Sequence, residues 1–254
     1  MKKESAATTQ RAYYAATASQ YDQMHLLESE QEYALAQLTG ILGYYSLKSL
    51  LDVGAGTGRV LRHAKQHLQS TRVMGVEPVT ELREVAYKNG IKETELIDGD
   101  ALALPFESES WDIVSAFGIL HHIQRPNAAV AEMCRVAKYG IFLSDLNNYG
   151  CGSFPQRALA QILRSLGLWR AFQYVKNGGK LEKYSQGDGI HYSYSLFDSL
   201  ATIKGKFPQL YLSNTKGSSS NLYRACSHVS VFAVKSVEQL EALNPHSAAL
   251  HEGE

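Results

Sequence analysis

Cysteine is scarce in this chain, which has only Cys134, Cys151 and Cys226. An odd count with no Cys-x-x-Cys pair excludes a disulfide framework and fits a reducing compartment such as the cytoplasm. The three read as buried small hydrophobes. No apolar run approaches the ~18 residues of a membrane span, so no membrane partner is expected. Met1-Lys2-Lys3-Glu4-Ser5 lacks the apolar stretch of a secretory signal. Net charge is missing as well: 25 basic and 25 acidic residues cancel, which argues against nucleic acid as a partner. There is no internal repeat and no low-complexity tract. What remains is globular, with 44% apolar and 20% charged residues in 254. That is enough chain to bury a real core, in one large domain or two small ones. Tyrosine is abundant, at 15 against 8 phenylalanines, and only Tyr87 and Tyr139 fall within residues 46–148. The middle of the chain is ordinary and the ends are tyrosine-rich.

The middle alternates short apolar runs with helical patterns. Ser49–Val53, Arg72–Val76, Glu95–Ile97, Trp111–Ala116 and Gly140–Ser144 read as five strands. Between them Val60, Leu61, Ala64 and Leu68, then Thr80 to Lys88, then Pro126 with Ala129, Val130, Met133 and Ala137, recur at helical spacing. Asn89-Gly90 marks a helix stop. Strands separated by helical crossovers predict a parallel sheet covered on both faces. Gln209–Ser213 and His228–Val234 are also strand-like, and the Gly/Ser-rich stretch between them is too short for a helical crossover. These two are expected to pair antiparallel. Residues 146–207 form a long insertion, helical at Gln156–Leu166 and loop-like near Asn177-Gly178-Gly179 and Gln186–Gly189.

The sharpest motif is Asp52-Val53-Gly54-Ala55-Gly56-Thr57-Gly58, directly after a strand and before a helix. Glycines there permit a tight turn and let a ligand approach backbone N–H groups. A dinucleotide site needs Gly-x-Gly-x-x-Gly. Here the third glycine falls one place early and Arg59 fills the dinucleotide position. A carboxylate leading the turn, at Asp52, repels a pyrophosphate and attracts an ammonium or sulfonium. The spacing favours a cationic nucleoside over NAD and disfavours the alternative of an NAD-dependent oxidoreductase.

At these residues the chain resembles the class I S-adenosylmethionine-dependent methyltransferases, in particular the small-molecule group related to quinone-biosynthesis methyltransferases. The likeness covers residues 48–145. It rests on the glycine turn, on Glu77 at the end of strand two, on Asp98-Gly99-Asp100-Ala101, on Leu104-Pro105-Phe106 with Trp111-Asp112, on Phe117-Gly118-Ile119-Leu120-His121-His122-Ile123, and on Glu132 to Lys138. The resemblance implies a Rossmann-like α/β fold, doubly wound, with strand order 3-2-1-4-5-7-6 and an antiparallel terminal hairpin. It implies S-adenosyl-L-methionine as cofactor and S-adenosyl-L-homocysteine as product. Expected cofactor contacts are Asp52, Gly54, Ala55, Gly56 and Gly58, Glu77 with Pro78 at the ribose, Asp100 and Ala101 at the adenine, and Phe117, Gly118 and His122 after strand four. Tyr14 and Tyr21 match an aromatic pair that closes over the cofactor in related enzymes. A ring face suits a sulfonium as it does other cations.

Other residues are read from position alone. His121 and His122 are adjacent, so in a helix or strand they face different ways, and no shared metal site is expected. Asp145 ends strand five, where polar residues face the ligand crevice. It joins His122 and His191 as a candidate general base. Asn147, Asn148, Tyr192 and Tyr194 are candidate acceptor contacts, while the run His191–Ser195 also suits an edge strand. The expected organisation is one domain, residues 1–254. It comprises an N-terminal helical lid segment at 1–45, a cofactor-binding core at 46–145, a substrate and lid insertion at 146–207, the terminal hairpin at 208–235 and a frayed tail at 244–254. The expected reaction is methyl transfer to an oxygen or nitrogen of a small-molecule acceptor, aromatic on the tyrosine argument, in an enzyme compatible with a homodimer. A non-catalytic S-adenosylmethionine-binding partner protein is the other alternative.

Overall fold

The computed structural model describes residues 5–24, 29–216 and 221–244. Of the expected tail, residues 245–254 lie outside them. The chain opens with α1 (Ala6–Thr17), α2 (Tyr21–Met24) and α3 (Ser29–Tyr44). Then β1 (Ser49–Val53), α4 (Arg59–His67), β2 (Arg72–Val76), α5 (Thr80–Lys88), β3 (Leu96–Ile97), β4 (Trp111–Phe117), α6 (Pro126–Val136) and β5 (Ala137–Leu146) follow in the expected alternation. The five strands run parallel. The insertion holds α7 (Phe154–Ser165), α8 (Trp169–Lys176), a separate antiparallel pair β6 (Glu182–Ser185) and β7 (Gly189–Tyr192), and α9 (Leu200–Lys204). β8 (Gln209–Lys216), α10 (Leu222–Ala225), β9 (His228–Val234) and α11 (Val237–Glu241) complete it.

The sheet order is β3-β2-β1-β4-β5-β9-β8, the expected 3-2-1-4-5-7-6 once the side pair is set apart. β9 lies antiparallel to both β5 and β8. Alternation along the strands fills two layers. Leu50 and Ile113 pack with Leu35, Leu38 and Leu42 of α3 on one face. Leu51, Val53 and Val114 pack with Val130 and Met133 of α6 on the other.

Two of the boundaries that differ from expectation have a clear cause. Ala137, expected on a face of α6, leaves that helix with extended backbone (φ −77°, ψ 132°) and begins β5 opposite Trp111. β8 runs to Lys216 rather than stopping at Ser213, because β9 offers ladder partners that far.

The carboxyl ends of the parallel strands form the crevice, and two separated pieces of chain cross it. α1 meets the turn of the side pair: Tyr13 Oη donates to the Gln186 carbonyl at 2.8 Å and Gln10 Nε2 to the Asp188 carbonyl at 3.1 Å. Gly189 (φ +66°) makes this approach feasible, since a Cβ there would strike Gln10 and Tyr13.

Candidate active site

The turn after β1 carries Gly54, Gly56 and Gly58 at φ +73°, +54° and +78°, a conformation L side chains rarely adopt. A Cβ on Gly54 would also stand 2.6 Å from the Ile119 side chain. Gly58 does different work: it precedes α4 and packs against Ala86 and Ile91, away from the crevice. At the end of β2, Glu77 is buried. Its Oε2 accepts from Gly56 N at 3.0 Å and its Oε1 from Val79 N at 2.9 Å. Burial pushes its carboxyl up to about 7 against those two bonds. Beyond β3, Asp100 accepts from Leu102 N at 2.9 Å and pairs with Arg11 of α1 at 2.9 Å. Glu77, Pro78, Asp100, Ala101, Gly54 and Gly56 line one cavity of about 290 Å³ under α1. Asp52 sits across from Ser115 in the β1–β4 register and accepts its hydroxyl at 2.7 Å. Burial raises this carboxyl too, to about 7. It lines a second cavity of about 290 Å³ with Ala55, Arg59 and Phe117. The two cavities meet at Tyr21, Gly54 and Gly56.

A third cavity, of about 330 Å³, opens at the ends of β4 and β5. Tyr14, Tyr21, Gly118 and His122 line both it and the first. Its floor is an ionic chain. Asp145 is 2% exposed and accepts from His121 Nδ1 (2.7 Å), Leu120 N (2.8 Å) and Leu146 N (2.7 Å). His121 Nε2 stands 3.5 Å from Asp188 Oδ2, and His122 Nε2 3.2 Å from Asp188 Oδ1. Burial alone would depress His121, but the two carboxylates outweigh it and hold the imidazole up to about 10. Burial likewise opposes ionisation of Asp145 and Asp188, yet the histidines keep both below the usual carboxylate range. His122 Nδ1 lies 2.6 Å from the Ile190 carbonyl, which only accepts, so Nδ1 carries the hydrogen. Its Nε2 is then left to accept from Tyr14 Oη at 2.9 Å. Burial keeps that phenol protonated, well above its ordinary range.

Comparison with known proteins agrees with this geometry. Residues 51–143 match the family described as "Methyltransferase domain". A demethylmenaquinone methyltransferase of Roseiflexus castenholzii is 31% identical over 127 residues, covering 46% of this chain and 53% of that protein. The norajmaline N-methyltransferase of Rauvolfia serpentina is 34% identical over 97 residues, 37% of this chain and 33% of that protein. The chain thus spans between a third and just over half of these curated relatives. A crystal structure of an S-adenosylmethionine-dependent methyltransferase from Thermotoga maritima superposes with a TM-score of 0.52 at 18% identity, over 89% of this chain and 99% of that one. Residues 51–143 thus carry the sequence pattern of a methyltransferase domain, on a fold shared with that structure.

The fold brings Tyr14, Tyr21, Asp52, Gly54, Ala55, Gly56, Glu77, Pro78, Asp100, Ala101, Phe117, Gly118 and His122 around linked cavities. It does not bring every expected residue there. His191 faces away because neighbours on β7 alternate: Ile190 and Tyr192 point one way and His191 the other. Its Nδ1 is buried without a hydrogen-bond partner. Tyr192 reaches the cavity beside Glu77 and Asp100 instead of the His–Asp cavity. Tyr194 is core, its hydroxyl 2.8 Å from Ser199 Oγ. Asn147 is fully buried and structural. Its Nδ2 donates to the carbonyls of Leu222, Tyr223 and Cys226, and its Oδ1 accepts from Tyr149 N and Ser195 Oγ. Asp145 does line the third cavity, but its two oxygens already accept three hydrogen bonds and its side-chain partner is His121, which it holds in place.

The two histidines do not face apart as expected. They sit on a single 3-10 turn, Leu120–His122, with ring centroids 4.0 Å apart. One donor atom from each and one from Asp188 lie within 4.8 Å of one another, a set that could hold a cation. In the free chain the His121 imidazolium lies between Asp145 and Asp188. Position-based reading missed His121 and Asp188; the only signal for the latter was its place in the Gln186–Gly189 turn. Tyrosine does not concentrate at the crevice either. Tyr44, Tyr45 and Tyr211 line a separate groove of about 440 Å³ between α3 and β8.

Proposed function

We propose that the protein transfers a methyl group from S-adenosylmethionine to an oxygen or nitrogen of a small-molecule acceptor. The observation that carries this reading is the meeting of two kinds of cavity at Tyr14, Tyr21, Gly118 and His122. On one side lie a glycine turn and buried carboxyls, and on the other a polar chamber with imidazoles. The residues present fit the cofactor. The Glu77 carboxyl, already raised by burial, gains from donors such as ribose hydroxyls. Asp100 and the backbone at Ala101 suit the adenine side. Asp52, beside the glycine turn, suits the cationic methionyl side, and Tyr21, common to all three cavities, suits the sulfonium.

When bound, the cofactor supplies an electrophilic methyl group on sulfur. The chain's own residues orient the partners and exclude water, since α1 and the β6–β7 turn close over the crevice. Orientation alone can contribute about 7 kcal/mol or more. His122 is the group placed to accept a proton from an acceptor hydroxyl or ammonium. Its Nδ1 is tied to the Ile190 carbonyl, and Asp188 at 3.2 Å stabilises the imidazolium that results. His121 serves as a fixed cation, already protonated.

The test is to incubate the protein with S-adenosylmethionine and a panel of phenols, alcohols and amines and to follow S-adenosylhomocysteine. Product with one acceptor class and loss of turnover in His122→Ala support the reading. Tight cofactor binding with no product from any class would leave a binding protein instead.

A further inference from the structure

The α7–α8 hairpin carries more exposed apolar surface than its share. Of the 14 exposed large hydrophobic residues among those described, seven lie between Phe154 and Val175. Half of them in so short a stretch marks an interaction surface, since single exposed hydrophobics need no explanation but clusters do. On α7, Leu159, Ile162 and Leu166 recur at i, i+3 and i+7, and at the edge of α8 Leu168 and Val175 are seven apart. Each set therefore forms one helix face. Leu166 is 63% exposed and Val175 78%.

Charge identifies the occupant. From Leu146 to Leu181 the chain has no acidic residue and five basic ones, Arg157, Arg164, Arg170, Lys176 and Lys180, although the whole chain is neutral. Arg164 is committed internally, stacked on Tyr149 and Trp169 and paired with Asp198. Arg170, Lys176 and Lys180 remain exposed. Apolar residues with exposed cations and no carboxylates suit a surface that is apolar beneath an anionic layer. We infer that the α7–α8 hairpin docks on an anionic lipid bilayer. None of the described helices is long and apolar enough to cross a membrane, so the contact is peripheral. The hairpin is tied to the crevice, because Trp169 Nε1 donates to Ser193 Oγ at 2.9 Å, next to Tyr192.

The test is co-sedimentation of the full chain with vesicles of phosphatidylcholine alone and of phosphatidylcholine mixed with phosphatidylglycerol. The protein should pellet with the anionic vesicles, and less so as salt rises. Replacing Lys176 and Lys180 with Gln should weaken partitioning about thirtyfold. Ile162→Ser with Val175→Ser should abolish it, with the melting curve unchanged because both sites are exposed. Pelleting with neither vesicle type overturns the inference. So does equal pelleting with both, or a dimer in sedimentation velocity that the Ile162 and Val175 substitutions dissolve. None of these outcomes bears on S-adenosylmethionine binding.

Discussion

Replacing Asp145 with Asn tests the ionic chain beneath the third cavity. The carboxylate is buried and accepts three hydrogen bonds, from His121 Nδ1, Leu120 N and Leu146 N. An amide has one acceptor oxygen, so it can satisfy only part of that set, and its NH₂ faces a donor. The His121 imidazolium also loses its closest counter-charge. Removing one partner of a buried pair typically costs about 3–5 kcal/mol. The remaining bond to the Asn oxygen and the Asp188 carboxylate place this case near about 3 kcal/mol. At about 2–4 °C per kcal/mol for a chain of this size, the melting temperature should fall about 6–12 °C. The loss has a pH signature. His121 is held at about 10 in the folded chain, above its ordinary value of about 6.5. A raised folded pKa stabilises fully below the unfolded value and fades as pH climbs through the folded one. The gap between wild type and variant should therefore be widest near pH 6 and close toward pH 10, followed by circular dichroism. A drop smaller than about 2 °C, or a gap that does not change over that range, would refute the reasoning.

Three further outcomes follow from the same geometry. Glu77 and Asp52 are both raised to about 7 by burial. If the ligand favours their ionised forms, S-adenosylmethionine affinity should weaken below pH 7, by at most about tenfold per pH unit for each group; a flat calorimetric profile from pH 5 to 8 contradicts it. Tyr14→Phe removes the hydroxyl from His122 and should lower turnover by about tenfold to a hundredfold while cofactor affinity stays within about threefold; unchanged turnover separates Tyr14 from the chemistry. Asn147→Ala strips three carbonyls, one of them fully buried, of their side-chain donor and should cost about 2–3 kcal/mol of stability in a denaturant melt; an unchanged melt with a raised acceptor KM would restore a substrate role.

What was legible in the sequence was what depends on neighbours in the chain. The glycine turn, the strand-end position of Glu77 and the alternation of strands and helices are local patterns, and the family resemblance they carry implied the sheet order. The reversed β8–β9 pair was legible because the stretch between the strands is too short for a crossover. The acceptor side was less so. Asp188 meets His121 and His122 only because the insertion folds back as β6–β7, which no local spacing announces. The histidines converge because their three residues adopt a tight 3-10 turn, where the helix-or-strand rule does not apply. Asn147 looked like a crevice residue until α10 supplied the carbonyls it binds. His191 does fall in a strand, although that strand spans Gly189–Tyr192 and not His191–Ser195; its face depends on register, and a one-residue offset turns a side chain away.

The central claim is that the linked cavities around Glu77 hold S-adenosylmethionine. Isothermal titration of the wild-type chain and of Glu77→Ala with S-adenosylmethionine, with NAD as the control ligand, tests it most directly. One site per chain is expected for S-adenosylmethionine, weakened by about tenfold to a hundredfold in the variant through the loss of charge-assisted hydrogen bonds of about 1.5–3 kcal/mol, with no heat from NAD. Binding of NAD in place of S-adenosylmethionine, or equal affinity in both proteins, would contradict it.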